Sequence, residues 1–336
     1  MIIEAISKIV DGNDLSKDEM IGVMTEIFRG EATNSQIAAF LTALRLKGES
    51  VEEISGAVQV MRKMATKVNT SAENVVDTCG TGGDSANTFN ISTTAAFVAA
   101  GAGVTVAKHG NRSVSSQSGS ADVLKALGVN IDIDEKKIEQ CLNEIGIGFL
   151  FAPKLHGAMK YAIGPRREIK IRTVFNILGP LSNPAGAKNQ VIGVYDSKLT
   201  GTLAKVLKDI GSDHVFVVHG KDGMDEITLT SKTSVAELKN GIVKEYELNP
   251  VDYGLNLCNP KDLTGGNPEK NADITKYILA GIKGPKRDIV ILNAAAAIMV
   301  SKKTDDFSEA ISLAEKSIDS GEAYQKLENL IKVTQT

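Results

Sequence analysis

The sequence lacks tryptophan and holds few other aromatic residues, six Tyr and nine Phe among 336 residues. Its three cysteines, Cys79, Cys141 and Cys258, are far apart and odd in number. They indicate neither a disulfide framework nor a CxxC metal site, and such cysteine usage is typical of a reducing compartment. We therefore expect a cytoplasmic protein with a core built from Ile, Val, Leu and Ala.

The charge and the apolar runs exclude further classes of protein. The formal net charge is −3, whereas a general nucleic-acid-binding surface requires a basic excess. Residues 1–5 lack the basic segment of a signal peptide. The longest apolar run, residues 289–300, is too short to span a bilayer and contains Asn293. We expect neither nucleic acid nor a membrane among the partners.

Residues 1–68 have the pattern of a small helical domain. Capping boxes, in which Ser or Thr is followed by Glu or Gln in the first helical turn, begin at Ser16, Thr33 and Ser50. Apolar residues at helical spacing follow each of them. The pattern predicts three helices and no strand.

From Val75 onwards, short apolar segments alternate with helical ones, which predicts a largely parallel sheet with helices on its faces. The predicted strands are residues 75–76, 104–107, 130–133, 148–151, 190–195, 214–218 and 289–292, with short strands and turns over 227–260. The predicted helices are residues 93–100, 120–127, 134–145, 199–210, 273–280, 294–300, 307–317 and 323–332.

Residues 156–183 interrupt this alternation. Residues 156–162 and 171–178 are predicted as short helices, with 164–167 between them. We expect this segment to return to the helical domain and to act as a hinge. The helical domain then comprises residues 1–68 together with 156–183, and an α/β domain comprises residues 69–155 and 184–336.

Two polar loops follow predicted strands. In the first, residues 80–84, glycines let backbone N–H groups face an anion, and the helix near Ser92 and Thr93 adds its N-terminal amides. Asp84 would repel a phosphate, but it suits a ribose hydroxyl or a metal-bound water. The loop has neither the Gly-Lys-Ser/Thr ending of a Walker A motif nor a GxGxxG pattern. This disfavours nucleotide hydrolysis and hydride transfer.

The second loop, residues 108–116, combines cations with hydroxyls. Lys108 and Arg112 can neutralise phosphate charge, and Ser113, Ser115 and Ser116 can donate hydrogen bonds. Its position after a strand, like that of the first loop, favours an anion site over a solvated surface loop.

Asp225 and Glu226 lie in a glycine-flanked turn, and adjacent carboxylates suit Mg²⁺. Alone, this pair would be interpreted as an exposed acidic turn, but a polyphosphate site in the same sheet favours a metal site. Arg166 could clamp a substrate carboxylate, whereas a surface salt bridge is favoured for Arg167.

In this order, the segments resemble the anthranilate phosphoribosyltransferase family, over essentially the whole chain. The segments that carry the resemblance are residues 77–84, 90–93, 108–116, 166–168, 172–184 and 222–226. The resemblance implies a nucleoside-phosphorylase-like fold, in which a small N-terminal helical domain joins a larger α/β domain with a mostly parallel central sheet. It also implies a homodimer formed through the helical domain.

The resemblance further implies a reaction. The phosphoribosyl group of phosphoribosyl pyrophosphate, bound with Mg²⁺, passes to the amino group of anthranilate in the second step of tryptophan biosynthesis from chorismate. The implied donor-binding residues are Gly80, Thr81, Gly83, Asp84, Thr88, Asn90, Ile91, Ser92, Thr93, Lys108, His109, Gly110, Asn111, Arg112, Ser113, Val114, Ser115, Ser116 and Ser120. The implied anthranilate-binding residues are Gly80, Asn111 and Arg166, and the metal-binding residues are Ser92, Asp225 and Glu226. Lys108 and Asp84 are expected to act in catalysis by positioning and electrostatics, without a general base.

Two other functions remain open on the sequence alone. A pyrimidine nucleoside phosphorylase would carry Lys-His-Ser before a glycine pair where this chain has Asp77-Thr78-Cys79, and it would not need an Asp-Glu pair. A non-catalytic, nucleic-acid-binding relative would have a basic cleft and would have lost its metal ligands. The charge balance and the presence of Asp225 and Glu226 oppose that interpretation.

Overall fold

A computed structural model of the chain describes residues 1–84, 86–113 and 117–336. Over these residues the α-helices are α1 (Ile2–Val10), α2 (Lys17–Phe28), α3 (Asn34–Lys47), α4 (Val51–Met64), α5 (Ile91–Gly101), α6 (Ser120–Ala126), α7 (Glu135–Glu144), α8 (Ala152–Leu155), α9 (Lys160–Ile169), α10 (Phe175–Leu181), α11 (Leu199–Asp209), α12 (Pro268–Leu279), α13 (Pro285–Val300), α14 (Phe307–Asp319) and α15 (Glu322–Gln335). The strands are β1 (Val76–Asp77), β2 (Val106–Gly110), β3 (Ile147–Phe151), β4 (Asn189–Gly193), β5 (His214–Gly220), β6 (Thr233–Lys239) and β7 (Ile242–Leu248). Three short 3₁₀ helices lie at Gly157–Met159, Pro250–Tyr253 and Pro260–Leu263.

The N-terminal part of the chain is a helical bundle. The capping boxes of Ser16, Thr33 and Ser50 are all formed, so α2, α3 and α4 begin where the sequence predicts. The three predicted helices are present, but the prediction missed α1, which precedes them. That helix has Met1 at its N-cap and no side-chain cap, so its start lacks the capping pattern that predicted the other three.

The described strands form one mostly parallel sheet in the order β3-β2-β1-β4-β5-β6-β7. The first five strands in this order pair in parallel, whereas β6 and β7 pair antiparallel. From β1 the chain moves outward through β2 to β3, and then returns to β4 on the other side of β1. Ligands of such sheets bind outside the carboxyl ends of the strands at this reversal of direction. The predicted fold class is confirmed.

The return from β3 to β4 passes along the helical bundle. Helix α9 contacts α2 and α3, and α10 contacts α4. Phe175 and Leu178 of α10 are buried in the same apolar cluster as Phe28 and Ile37 of the bundle. The predicted domain boundaries and the hinge stay predictions.

Three local predictions were wrong. Residues 130–133 are not a strand, because the Asn130 N–H donates to the Thr334 hydroxyl and the Asn130 side chain accepts from the Asp132 N–H, in place of a ladder. Residues 289–292 belong to α13, which is buried on all sides from Ile289 onwards and there lacks helical periodicity. Residues 164–167 lie inside α9, where Pro165 is buried.

Among the described residues, no helix is both long enough and apolar enough to cross a membrane.

Candidate active site

The first polar loop lies at the reversal of the sheet, where the carboxyl ends of β1 and β4 are neighbours. The Thr81 N–H donates to the Gly193 carbonyl at 2.8 Å, and the Thr81 hydroxyl accepts from the Tyr195 N–H at 3.2 Å. At Gly193, a Cβ would lie 1.5 Å from the carbonyl oxygen of Asp225, so only glycine fits at the end of β4. The loop is thus held against both β4 and the turn that contains Asp225 and Glu226, called the acidic turn below.

The glycines of this loop adopt conformations that other residues avoid. Gly82 and Gly83 have φ values of +66° and +81°. The Gly82 N–H donates to Asp225 Oδ2 at 2.7 Å, and the Gly83 carbonyl accepts from Arg172 Nη2 at 2.5 Å. The Arg172 guanidinium lies 4.1 Å from the ring centroid of Tyr195. The loop is therefore folded around the carboxylate of Asp225.

The second polar segment begins inside the sheet rather than after it. Lys108, His109 and Gly110 belong to β2, which pairs with β3 as far as Gly110 opposite Phe151. The prediction that residues 108–116 form a single loop, after a strand over 104–107, was therefore wrong for these three positions. The strand runs further because the pairing with β3 continues.

Lys108 is a fixed, buried cation, with 4% of its surface exposed. Its Nζ donates to the Thr78 carbonyl at 2.7 Å, and lies 3.3 Å from the Thr78 hydroxyl and 3.4 Å from the Ser92 hydroxyl. The lysine thus joins the end of β1 to the start of α5, where both elements meet the first loop.

His109 is fixed between β1 and the segment that returns to β4. Its N–H donates to Asp77 Oδ1 at 3.0 Å, and its Nδ1 lies 3.1 Å from the Gly179 carbonyl. Its ring centroid is 5.1 Å from that of His156. Burial lowers the pKa of His109 to about 3, so the ring is neutral and cannot supply charge to a phosphate.

The second loop is closed by hydrogen bonds at its base. The Asn111 carbonyl accepts from the Ala121 N–H at 3.1 Å and from the Ser120 hydroxyl at 3.3 Å. Asp122 Oδ2 accepts from the Ser113 N–H at 3.1 Å, and the Arg112 guanidinium lies 5.8 Å from the Phe151 ring centroid. The predicted donor-binding residues Val114, Ser115 and Ser116 lie outside the described residues.

Asn90 joins this loop to the start of α5. Its Nδ2 donates to the Ser118 carbonyl at 3.1 Å, and its Oδ1 accepts from Asn271 Nδ2 at 3.0 Å. The side chains of Ile91 and Thr93 are buried, and the Ile91 N–H donates to the Phe89 carbonyl at 2.8 Å, so a ligand at this end of α5 would meet backbone rather than these side chains. Thr88 forms an isolated bridge with Thr264 on the same side of the helix start.

The acidic turn completes the site. Glu226 Oε1 accepts from the Ser92 N–H at 3.1 Å, and Asp84 Oδ2 accepts from the Asp225 N–H at 3.3 Å. Burial, followed by the charges of Asp84 and Glu226, raises the pKa of Asp225 well above its usual range. Burial raises the pKa of Glu226 to about 7, although Lys108 opposes the rise.

The three carboxylates of Asp84, Asp225 and Glu226 form no ion pair with any described residue. The ligand atoms of these three carboxylates do not all lie within 4.8 Å of one another, but their oxygens are of the hard type that a divalent cation such as Mg²⁺ prefers, and a bound cation would relieve their repulsion. The structure thus brings the predicted metal ligands Ser92, Asp225 and Glu226 together.

A second group of ligand-type atoms, in Asp77, Cys79 and His109, lies within 4.8 Å. Both Asp77 oxygens already accept hydrogen bonds, from the His109 N–H and from Asn183 Nδ2. Desolvation raises the pKa of the Cys79 thiol, which keeps it protonated. We interpret this group as structural.

The predicted anthranilate-binding residues Gly80, Asn111 and Arg166 lie further apart than the predicted metal ligands do. Arg166 lies on α9, partly buried, with its guanidinium 5.2 Å from the Phe175 ring centroid. In the part of the chain that the structure describes, no hydrogen bond joins it to Gly80 or Asn111, and it forms no ion pair. Arg167 is exposed, and the surface salt bridge expected for it is not formed with any described residue.

A small cavity opens between these elements. It is lined by Thr78, Gly80, Ser92, Ala95, Val191, Gly193, Glu226 and Asn293. The sequence assigned no role to Thr78, Gly193 or Asn293. Of these three, only Asn293 stands out in the sequence, because it is a polar residue inside the apolar run 289–300.

Comparison with known proteins first defines a class. Residues 3–65 match the family model "Glycosyl transferase family, helical bundle domain", and residues 72–324 match "Glycosyl transferase family, a/b domain". The chain is thus a glycosyl transferase whose two regions correspond to the bundle and the sheet described above.

Individual relatives are more specific. The chain is 56% identical to "Anthranilate phosphoribosyltransferase" of Acetivibrio thermocellus, covering 99% of this chain and 97% of that one. The crystal structure of anthranilate phosphoribosyltransferase from Thermus thermophilus superposes with a TM-score of 0.94 at 40% identity, covering 99% of each chain. The Saccharomyces cerevisiae enzyme in complex with PRPP and Mg has a TM-score of 0.91 at 29% identity, covering 99% of this chain and 98% of that one. The chain belongs to the anthranilate phosphoribosyltransferase family, as the sequence resemblance indicated, and neither alternative function is supported.

Glu226 is expected to make the metal-free wild type lose stability relative to Glu226→Gln as the pH rises from about 4.5 to about 7, because the pKa of Glu226 is higher in the folded chain than in the unfolded one. The contribution of Glu226 to stability is fully present below its pKa in the unfolded chain, and it is lost as the pH rises to its pKa in the folded chain. Mg²⁺ binds the ionised carboxylates, so it should raise the melting temperature more at pH 8 than at pH 5. Asp77, with a pKa raised to about 6, and Asp225, with a pKa raised well above its usual range, contribute in the same direction. Melting curves of the wild type and Glu226→Gln, each with EDTA or Mg²⁺, isolate the contribution of Glu226. Equal Mg²⁺ effects at both pH values in the wild type would contradict the prediction.

Proposed function

We propose that this chain transfers the phosphoribosyl group of phosphoribosyl pyrophosphate (PRPP) to the amino group of anthranilate. The products are N-(5-phosphoribosyl)anthranilate and pyrophosphate, in the second step of tryptophan biosynthesis from chorismate. The observation that supports this most directly is the meeting of the glycine loop, the start of α5, Lys108 and the Asp225-Glu226 turn at the reversal of the sheet. Family membership supports it independently.

In this proposal the donor lies across the carboxyl ends of β1 and β4. The glycine loop and the start of α5 lie along the pyrophosphate, and the base of the second loop bounds it on the other side. Ser92, Asp225 and Glu226 would hold Mg²⁺, which neutralises charge on the pyrophosphate when bound. Asp84 lies beside this turn, where a carboxylate suits a ribose hydroxyl or a metal-bound water.

Breaking the bond between ribose C1 and the pyrophosphate oxygen places positive charge on the ribose and negative charge on the leaving group. Lys108, fixed by Thr78 and Ser92, is a cation that does not need to reorganise as this charge develops. The amine of anthranilate is already neutral at pH 7. The chain therefore needs no strong base, and catalysis consists mainly of positioning and electrostatic stabilisation.

The acceptor is proposed to approach from the side of α9, through Arg166, together with Gly80 and Asn111. Since no hydrogen bond connects these described residues, we propose that the segment over 156–183 acts as a hinge that closes them on anthranilate. We also propose a cytoplasmic homodimer formed through the helical domain. Exposed apolar side chains on α1 and α3 support this interface, including Leu46, which is 84% exposed.

The direct test is an assay with the purified chain, PRPP, Mg²⁺ and anthranilate, following the loss of anthranilate fluorescence. We expect a loss that depends on the enzyme, on PRPP and on Mg²⁺. No enzyme-dependent loss would refute the proposed function. Phosphorolysis of uridine or thymidine by the same preparation would instead indicate a nucleoside phosphorylase.

Arg166→Ala is expected to raise the KM for anthranilate about 10- to 100-fold, the range expected on losing a hydrogen bond to a charged group. The KM for PRPP should change little. Arg167→Ala is the matched control, since the neighbouring arginine is exposed. Steady-state kinetics with each substrate varied in turn measure the effect. Equal behaviour of the two variants would remove Arg166 from the acceptor site.

A further inference from the structure

Asn293 makes an unusual set of hydrogen bonds for a residue in the middle of a buried helix. Its Nδ2 donates to the Ile227 carbonyl at 2.8 Å, and its Oδ1 accepts from the Ile227 N–H at 3.0 Å. Nδ2 also donates to the Ile289 carbonyl at 2.9 Å, within α13. The side chain is 3% exposed, so these bonds do not compete with water. One amide thus pairs with both backbone groups of a single residue.

Ile227 directly follows Glu226 and is itself fully buried. Pairing both of its backbone groups fixes the orientation of the chain where it leaves the acidic turn. Glu226 is held from its other side by the Ser92 N–H on α5. Helices α5 and α13 pack against each other, with residues such as Ala96 and Ala296 in one apolar cluster. Glu226 therefore lies between two helices whose separation the core sets.

We propose that Asn293 is a positioning residue for the phosphoribosyl transfer: by clamping Ile227, it holds the carboxylates of Asp225 and Glu226 beside Ser92, ready for Mg²⁺. The inference rests on the function proposed above. Groups that orient metal ligands without touching the metal commonly govern metal affinity. Asn293 also lines the cavity between Thr78 and Glu226, so its effect is local to the site.

The other end of the turn is fastened separately. Asp222 accepts hydrogen bonds from the Met224 N–H at 3.2 Å, from the Thr228 hydroxyl at 2.6 Å and from the Thr230 hydroxyl. Asp222 is exposed, and these three partners lie within residues 224–230. Among the described residues, the Asn293 clamp is the hydrogen-bonded link between α13 and the end of the turn, and it complements the bonds of Asp225 and Glu226 to the Gly82 and Ser92 N–H groups.

Asn293→Ser separates positioning from folding. A serine hydroxyl can still donate to the Ile289 carbonyl in its own helix but is too short to reach Ile227. We expect the Mg²⁺ concentration for half-maximal PRPP binding, measured by calorimetry without anthranilate, to rise about 10- to 100-fold. The same rise should appear in the Mg²⁺ dependence of the rate.

The matched control is Ser317→Ala. The Ser317 hydroxyl, also 3% exposed, donates to the Val98 carbonyl at 2.7 Å, so this variant removes a buried hydrogen bond between α14 and α5 outside the acidic turn. It should lower the melting temperature without changing the Mg²⁺ dependence. Asn293→Gln provides a second variant, because it keeps the amide but shifts it by one methylene. It too should need more Mg²⁺ than the wild type.

An unchanged Mg²⁺ dependence in folded Asn293→Ser or Asn293→Gln, with only a drop in melting temperature as in Ser317→Ala, would overturn the inference and make Asn293 a structural residue. Failure of the proposed function has a different signature, since the wild type itself would then show no Mg²⁺-dependent binding of PRPP.

Discussion

Replacing Lys108 by methionine is expected to lower kcat about 100- to 1,000-fold at saturating PRPP, Mg²⁺ and anthranilate, the loss typical of removing one preorganised electrostatic group. Methionine keeps much of the length and apolar stem of lysine, so the buried space stays filled. What disappears is the charge and the bonds to Thr78 and Ser92. Since leaving-group charge develops in the transition state, the effect should appear in kcat more than in the KM for PRPP.

The control is Lys47→Met, which removes another lysine whose side chain is largely buried. Lys47 pairs with Asp14 and Glu53 in the helical bundle, away from the sheet. We expect this variant to lose stability, because Glu53 is fully buried, and to keep the kcat of the folded enzyme. If Lys108→Met retained the wild-type kcat at saturating donor, the proposal that this lysine stabilises the charge of the leaving group would be wrong.

The helix starts show which parts of the fold a sequence can predict. A capping box is a local pattern, and those of Ser16, Thr33 and Ser50 predicted three helices correctly. Helix α13 was divided into a strand and a helix because burial on every side removes the periodicity that distinguishes the two. Residues 130–133 failed for another reason, since their hydrogen bonds go to side chains that sequence spacing cannot locate.

In the site, too, some parts are predicted by local sequence and others depend on contacts between distant residues. The glycine loop and the acidic turn each have a local composition that indicates anion or metal binding, and the carboxyl ends of parallel strands bring them to one edge. The contacts of Gly193 with Asp225, and of Asn293 with Ile227, join positions far apart in the chain. No local pattern encodes them. The burial of Lys108 was hidden for the same reason, because it depends on how far β2 pairs with β3.

Asp225→Asn is expected to have opposite effects on stability and on activity. In the metal-free protein at pH 8 it should raise the melting temperature, because burial and the charges of Asp84 and Glu226 make the ionised Asp225 unfavourable in the folded chain. In the assay it should lower kcat/KM about 100-fold or more, since a metal-assisted step depends on several kcal/mol of charge stabilisation. Excess Mg²⁺ should restore only part of the rate.

The control is Asp252→Asn, which alters an exposed carboxylate away from Asp84, Asp225 and Glu226. It should change neither the melting temperature of the metal-free protein nor kcat/KM. A metal-free Asp225→Asn protein that melts below the wild type at pH 8 would mean that the Gly82 N–H bond to Asp225 outweighs the repulsion. Retention of wild-type kcat/KM would remove Asp225 from the metal site. A gain in metal-free stability together with a loss of activity would show that the chain tolerates an unfavourable cluster of carboxylates because the reaction requires it.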